Sequence, residues 1–173
     1  DVIKTTQTIF MVLESSAPDS VDEDIVDALV GNFFVTRKTG KYATGVVRIR
    51  FYSPQALDIS TGLAVFLDSS GNKFLNTSAV AITSSVMSLN VEGSLYYIDV
   101  PCTTEKEGKG YNADSGDIST WENEPANVAN VTNKADFEYG IDKETNTELI
   151  ERAKLAVTVR ALVTGRGIIT TLT

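Results

Sequence analysis

The sequence contains no histidine, and it has one cysteine and one tryptophan in 173 residues. Without histidine, neither a Ser-His-Asp group, a Cys-His group nor a histidine-based metal site can be assembled. The single cysteine, Cys102, excludes an intrachain disulfide, and we interpret it as a small buried apolar side chain. We therefore expect no enzyme activity and no cofactor, and a fold held together by burial and hydrogen bonds.

Long apolar runs and an excess of positive charge are also missing. The longest uncharged stretch, residues 74–91, is interrupted repeatedly by Asn, Ser and Thr, which indicates a strand pair rather than a membrane span. The formal net charge of −8 repels phosphate backbones and anionic lipids. No basic region followed by an apolar run opens the sequence, so no secretory signal is predicted. We expect neither nucleic acid nor a membrane as a partner.

Two capping boxes, each a Ser or Thr followed three residues later by Glu, predict helices. The box at Ser20 precedes apolar residues at helical spacing and predicts a helix over residues 21–33. The box at Thr145 predicts a second helix that continues to about Val163 and is ended by Gly165 and Gly167.

The sequence between these helices is typical of strands. Residues 47–52 alternate, with the apolar side chains of Val47, Ile49 and Phe51 on one face. Residues 63–75 predict a hairpin with a glycine-containing loop, and residues 80–89 and 95–102 are two more β-rich runs. The predicted fold class is α+β, a β-rich core with flanking helices at the N- and C-terminal ends. The predicted organisation is a helical segment over 1–40, a β-rich core domain over 41–138 and a helical segment over 139–173.

Within the core, residues 103–133 are rich in Gly, Asn, Asp, Ser and Glu, which predicts a long irregular excursion. Loops of this length commonly contact partners, so Tyr111, Asn112 and Trp121 are candidate partner contacts. Trp121 suits three roles: stacking on a sugar, contact with a neighbouring subunit, or packing on its own core. Leu149 and Arg152 are further candidate contacts, because the apolar stripe of the second helix needs cover.

Several short motifs suggest chemistry only weakly. Residues 112–117 space oxygen ligands like a calcium loop but lack its final glutamate, and an Asx-rich turn is the simpler interpretation. Residues 40–45 have the glycine spacing of a phosphate loop without its lysine, which favours a turn into a strand. Adjacent carboxylates that a glycosidase would need are more often solvated loop charges. These pairs are Glu122 with Glu124, and Asp114 with Asp117.

Read in order, several segments resemble the baseplate J-like family, the wedge proteins of contractile phage tails and related injection machines. Residues 58–65 and 71–77 are similar to that family's glycine turn into a strand and its hairpin. Residues 108–118 resemble its G-x-x-x-N-x-x-x-G-x-I stretch, and residues 131–133 resemble its v-x-N stretch. The most specific segment is 140–152, which resembles its G-x-D-x-E-T signature ending in Arg152. Tyr139 departs from the family, which commonly has a second glycine there.

The resemblance implies a wedge subunit of the tail baseplate that links hub, fibres and sheath and takes part in the rearrangement that triggers contraction. The implied partners are other baseplate proteins and copies of the chain, arranged as a homo- or hetero-oligomer in a ring. The implied location is the virion, after synthesis in the host cytoplasm. Family members continue further, so residues 139–173 are expected to begin another region. The alternative is a carbohydrate- or receptor-binding module of a phage tail, with Trp121 and Tyr111 as stacking platforms.

Overall fold

The structure, a computed structural model, describes Met11 and residues 17–163, with side chains as far as Val159. The chain divides into two compact units. The helical unit consists of Asp1–Thr39 and Lys143–Thr173, and the sheet unit consists of Gly40–Asp142. The described residues are β-rich with three helices, so the fold is α+β. No helix among them combines the length and hydropathy needed to span a bilayer.

Within the described residues, the sheet unit contains nine strands, with one short helix between the fifth and sixth strands. The strands are β1 (Tyr42–Phe51), β2 (Leu57–Ile59), β3 (Val65–Asp68), β4 (Lys73–Asn76), β5 (Val80–Ile82), β6 (Val91–Glu92), β7 (Leu95–Glu107), β8 (Ile118–Glu122) and β9 (Val128–Asn133). The helices of the chain are α1 (Glu23–Gly31), α2 (Ser84–Met87) and α3 (Asn146–Val163).

The main sheet is antiparallel and follows the order β8-β3-β4-β7-β1-β9, with β6 paired to β7. Its end strands β8 and β9 lie next to each other, so the sheet nearly closes around one core. The predicted apolar face of β1 is confirmed, because Val47, Ile49 and Phe51 are all fully buried. The largest other side chains of this core are Phe66, Phe74, Phe137, Met87 and Ile118.

The predicted hairpin is confirmed as β3 and β4, whose loop contains Gly71 at a φ of 83°. The carboxylate of Asp68 accepts hydrogen bonds from the loop amides of Ser70 and Asn72, at 2.8 Å each. The β-rich run predicted over 80–89 is only partly correct. Its second half forms α2, since the hydroxyl of Thr83 caps the amide of Val86 and starts a helical turn.

The prediction of an irregular excursion over 103–133 is wrong. This range contains the end of β7 and all of β8 and β9, so it builds three strands of the main sheet. The buried residues of β8, Ile118 and Trp121, are three positions apart, as are Val128 and Val131 of β9. The pairing register shifts in both strands, which explains why the alternation of a regular strand is absent from the sequence.

The first capping box is also wrong. Ser20 lies in a 3₁₀ turn over Pro18–Ser20, and its hydroxyl donates to the carbonyl oxygen of Ala17 instead of capping a helix. Helix α1 begins later, because the carboxylate of Asp22 accepts from the amide of Asp24 and serves as the N-cap.

The second capping box is confirmed. The amide of Thr145 donates to the carboxylate of Glu148 at 3.0 Å, and the amide of Glu148 donates to the hydroxyl of Thr145 at 3.2 Å. Helix α3 follows to Val163, and the predicted stop at Gly165 and Gly167 lies outside the described residues. The core of the helical unit joins both parts of the chain. Its members are Val26, Val30, Val35, Leu149, Ile150 and Ala153.

Residues 40–45, which have the glycine spacing of a phosphate loop, lie against other side chains of the protein and leave no space for a phosphate beside Gly40 and Gly45. Gly45 lies within β1, and a Cβ atom added there would be 2.6 Å from the ring of Phe137. Gly40 lies equally close to the side chain of Glu107, at 2.6 Å. The glycines therefore permit close packing in the sheet unit, and the predicted strand is confirmed because Tyr42–Phe51 form β1.

Candidate partner-contact site

Trp121, a candidate partner contact, belongs to the core of its own sheet unit. The ring lies 5.3 Å from the ring of Phe66 in a tilted arrangement, and only 7% of the residue is exposed. A sugar-stacking platform needs an exposed ring face, and Trp121 has none in this fold. Of the three roles that suited Trp121, packing on its own core is the one observed, and the carbohydrate hypothesis loses its main residue.

Tyr111 and Asn112 lie at the end of a 3₁₀ turn, Lys109–Tyr111, that follows β7. Asn112 fixes the backbone, since its Oδ1 atom accepts from the amide of Gly140 at 2.9 Å. A Cβ atom on Gly140 would lie 2.6 Å from that same Oδ1 atom, so glycine is required for this approach. Asn112 thus has a structural role. Tyr111 is half-buried beside a small cavity that Lys73 and Glu105 also line, and it remains a candidate contact.

Asn133 is a buried side chain whose role the sequence did not reveal. Its Oδ1 atom accepts from the amides of Gly116 and Ile118, at 3.1 and 3.0 Å. Its Nδ2 atom donates to the carbonyl oxygens of Asp114 and Ala135, at 2.8 and 3.0 Å. One amide therefore holds the turn before β8 against the end of β9. The v-x-N resemblance ending at Asn133 was the one signal that marked this position.

Two of the carboxylates considered for calcium binding or catalysis, Asp117 and Glu122, bond to groups of the chain itself. The carboxylate of Asp117 accepts from the amide of Asp114, three residues earlier, at 3.1 Å, and this bond closes the turn between them. Glu122 forms an ion pair with Lys73, with 3.1 Å between Nζ and Oε1. Among the residues that the structure describes, no group of three or more His, Cys, Asp or Glu side chains is placed to hold a metal ion.

Cys102 lies in β7 and is almost fully buried, as predicted. Its Sγ atom is 3.3 Å from the carbonyl oxygen of Val100, to which it donates. Burial raises the pKa of this thiol to about 12, because the charged thiolate would lose its hydration. The thiol is a packing group, and it does not have the lowered pKa of a nucleophile.

A charged cluster covers the outer face of β1, β6 and β7. The guanidinium of Arg48 bonds both carboxylate oxygens of Asp99, at 2.6 and 2.5 Å, and lies 3.8 Å from the centre of the Tyr97 ring. Glu92 accepts from Arg50 at 2.8 Å and also pairs with Lys134. The bonds from Arg50 and Lys134 lower the pKa of Glu92 to about 2. The alternation of β1 predicted an outward Arg48 and Arg50 but could not predict their partners.

A cleft of about 350 Å³ lies in the sheet unit between β2 and the end of β8. Its lining combines apolar side chains with two carboxylates and one amide. The lining residues are Leu57, Asp58, Ile59, Ser60, Leu63, Trp121, Glu122, Asn123 and Pro125. Sequence reasoning did not identify this cleft, because its walls are far apart in the chain.

In the helical unit, Leu149 is fully buried against residues of the chain's own core, including Val26 and Val30. Burial excludes it from any contact surface, which corrects its assignment as a partner contact. The apolar stripe that was expected to need a partner is covered by α1 and Val35 instead. Part of α3 does remain exposed, at Leu155 and Val159.

Arg152 belongs to a hydrogen-bonded polar network of the helical unit and is only partly exposed. Its guanidinium bonds the carboxylate of Glu144 through Nε and Nη2, at 2.7 and 2.6 Å, and also donates to the carbonyl oxygen of Thr36. Arg37 extends the network, with bonds to Asp27 and Asn146. The bonds from Arg152 lower the pKa of Glu144. The network connects residues 36–38 with residues 144–152, so Arg152 has a structural role.

Comparison with known proteins gives a similarity of fold. No family model and no curated protein matches the chain. Among solved structures, the chain is similar to one from the cryo-electron microscopy structure of the anti-feeding prophage (AFP) baseplate, six-fold symmetrised, with a TM-score of 0.53 and 8% identity. The fold is similar to that of a baseplate chain.

The similarity covers 91% of this chain and 45% of the baseplate chain. This chain therefore spans less than half the length of that protein. At such low identity the comparison shows a shared fold, and function has to be argued separately.

Proposed function

We propose that this protein is a structural component of the baseplate of a contractile injection system and that it has no catalytic activity. The observation that carries this proposal is the similarity of fold over 91% of the chain to a chain of the AFP baseplate. The resemblance of residues 108–118, 131–133 and 140–152 to the baseplate J-like family supports the same role from the sequence.

The contacts of these motif residues suit a structural protein. Asn112 bonds Gly140, Asn133 bonds the turn before β8, and Glu144 bonds Arg152. Each of these bonds fixes one part of the fold against another. Motif residues with stabilising roles of this kind are expected in a building block, whose function lies in its outer surfaces.

The finer proposal is a wedge subunit that links hub, fibres and sheath. It would assemble in a ring with copies of itself and other baseplate proteins, and it would belong to the virion after synthesis in the host cytoplasm. Rearrangement of such a subunit would contribute to the trigger for contraction. Its acidic surface favours protein partners over nucleic acid or anionic membranes.

Quantitative mass spectrometry of purified particles tests this proposal. We expect the chain to be present at a low, fixed copy number relative to the tail sheath, matching the rotational symmetry of the tail. Cross-linking of the same particles should join it to hub or sheath proteins. Absence from intact particles, or a copy number equal to that of the sheath, would contradict a baseplate role.

A turnover assay tests the absence of catalysis. The chain should release no product from peptidoglycan or from chitin oligosaccharides, and Glu122→Gln should change nothing. Product release that disappears in Glu122→Gln would show a hydrolase instead.

A further inference from the structure

The cleft between β2 and β8 is lined by two runs of consecutive residues, Leu57–Ser60 and 121–123. Successive side chains of a strand point to opposite faces, so side chains alone would line a cleft at every second position. Consecutive lining residues mean that the backbone edge of each strand faces the cleft. The cleft is therefore a gap between two strand edges.

The edge of β2 is open, whereas β8 has β9 beside its second edge, in the part of the chain that the structure describes. There, β2 pairs only with β5, and β8 pairs only with β3. A strand with one neighbour presents unpaired N–H and C=O groups on its other edge, which can accept a further strand. The two edges differ, since Asn123 has a φ of 57° and ends β8, whereas β2 stays extended along the cleft.

The β2–β5 sheet has a physical reason to accept another strand. It has two strands of three residues each, Leu57–Ile59 and Val80–Ile82. Two-stranded sheets of this size are marginal in water, and a third strand adds both hydrogen bonds and buried apolar area. The edge of β2 is thus the better docking position.

The side chains around the cleft indicate what kind of strand would fit. The charged residues of the lining are Asp58 and Glu122, and both are acidic. Glu122 is paired with Lys73, while Asp58 is exposed and has no ion pair within the described residues. Leu63, 69% exposed, and Pro125 offer apolar contact at the same site.

We propose that this cleft binds an extended, positively charged polypeptide segment of another protein in the assembly. The segment adds to the free edge of β2 as a third strand, with apolar side chains against Leu63 and Pro125 and a Lys or Arg beside Asp58. The identity of the partner as an assembly protein rests on the proposed function, but the chemistry of the cleft does not.

A synthetic peptide of four Val-Lys repeats, capped at both ends, is the probe. It is titrated into the full-length, isotope-labelled chain while backbone amide shifts are followed by nuclear magnetic resonance. Shift changes should concentrate at residues 57–63 and 121–125. A matching Val-Glu peptide should bind about tenfold more weakly, because like charges meet at Asp58. A Val-Lys peptide with alternate residues replaced by proline should not bind, because it lacks the N–H donors.

Variants of exposed residues complete the test without unfolding the chain. Asp58→Asn should lower the affinity for the Val-Lys peptide by about two- to fivefold, which is the contribution of one exposed ion pair. Glu105→Gln, an exposed carboxylate outside the cleft, should leave its affinity unchanged. Equal binding of the Lys and Glu peptides, or shift changes spread over the acidic surface, would overturn the proposal. So would dimerisation of the free chain that Asp58→Asn abolishes, since a second copy would then occupy the cleft.

The two proposals fail in different ways. Absence of peptide binding in a chain that is present in particles would overturn the docking inference alone. Peptide binding at residues 57–63 by a chain that is absent from particles would overturn the baseplate role alone.

Discussion

The guanidinium of Arg152 and the carboxylate of Glu144 meet through two hydrogen bonds, at 2.7 and 2.6 Å. Glu144 is buried, and its carboxylate also accepts from the amide of Lys38 at 2.9 Å. The pair thereby attaches the segment that follows α1 to α3 within the helical unit. This gives a physical reason for the acid and the arginine in the G-x-D-x-E-T signature.

Arg152→Lys should destabilise the helical unit by about 2 kcal/mol, because lysine keeps the charge but cannot bond both carboxylate oxygens. Hydrogen exchange at the amides of α3 measures this loss. Glu151→Gln, an exposed neighbour, is the control and should change exchange little. Unchanged protection of the α3 amides in Arg152→Lys would mean that the two hydrogen bonds from Arg152 to Glu144 contribute no stability beyond that of the charge.

Glu92 should titrate with a pKa of about 2, because Arg50 and Lys134 donate to its charged form. Since this pKa is lowered on folding, the stabilisation is present above the ordinary carboxyl value of 4.5 and is lost as pH falls toward about 2. Carboxyl resonances followed by nuclear magnetic resonance give the value directly. In 1 M salt the pKa should rise, since the cluster is partly exposed and therefore screened. A pKa near 4.5 in low salt would contradict the ion cluster.

Asn133→Ala should destabilise the sheet unit by about 3 kcal/mol, because the buried amide of Ile118 loses its acceptor and the carbonyl oxygens of Asp114 and Ala135 lose their donor. Urea unfolding followed by Trp121 fluorescence measures the change. Asn130→Ala, on the same strand but exposed, is the matched control and should cost well under 1 kcal/mol. Similar losses in both variants would argue against Asn133 as the fixing residue.

Tyr139→Gly should leave the free energy of unfolding unchanged or raise it by up to about 1 kcal/mol. Tyr139 is 69% exposed and has a φ of 73°, where a side chain is strained and glycine is not. Thermal unfolding of the variant gives the answer. Glu138→Gly, at a neighbouring position without positive φ, should destabilise. A loss above 1 kcal/mol in Tyr139→Gly would show that the ring has packing energy that its exposure does not suggest.

Tyr139 also explains one departure noted in the sequence. The resembling family commonly has glycine at this position, and the backbone here has the positive φ that glycine adopts without strain. The sequence marked Tyr139 as a departure from the family, but it could not show that tyrosine adopts the positive φ at this position.

Two capping boxes of the same spacing had opposite outcomes. At Thr145 both reciprocal hydrogen bonds form, and α3 starts where the sequence predicted. At Ser20 a 3₁₀ turn begins at Pro18, and Asp22 provides the cap two residues later. A four-residue motif does not show which of several nearby side chains will cap the first amides of a helix. The start of the second helix was therefore predictable, and the start of the first was not.

The strands β8 and β9 were missed for a geometric reason. Period-two alternation is the sequence signal of a half-buried strand, and the register shifts opposite Asp68 and Phe51 replace it with a spacing of three. With that signal gone, the many polar residues between the apolar positions suggested a loop. The cleft and the Glu92 cluster depend on the resulting strand positions, so neither could be predicted from the sequence.

The helical unit is assembled from segments that are far apart in the chain, as the bond between Arg37 and Asn146, 109 positions later, illustrates. At translation rates of about 5–20 residues per second, α1 leaves the ribosome roughly 6–25 seconds before α3 exists to cover it. During that interval the sheet unit is synthesised in full, while Val26 and Val30 have no partner from α3. Until α3 has been synthesised, the nascent chain therefore carries an apolar helix face that lacks the cover of Leu149, Ile150 and Ala153.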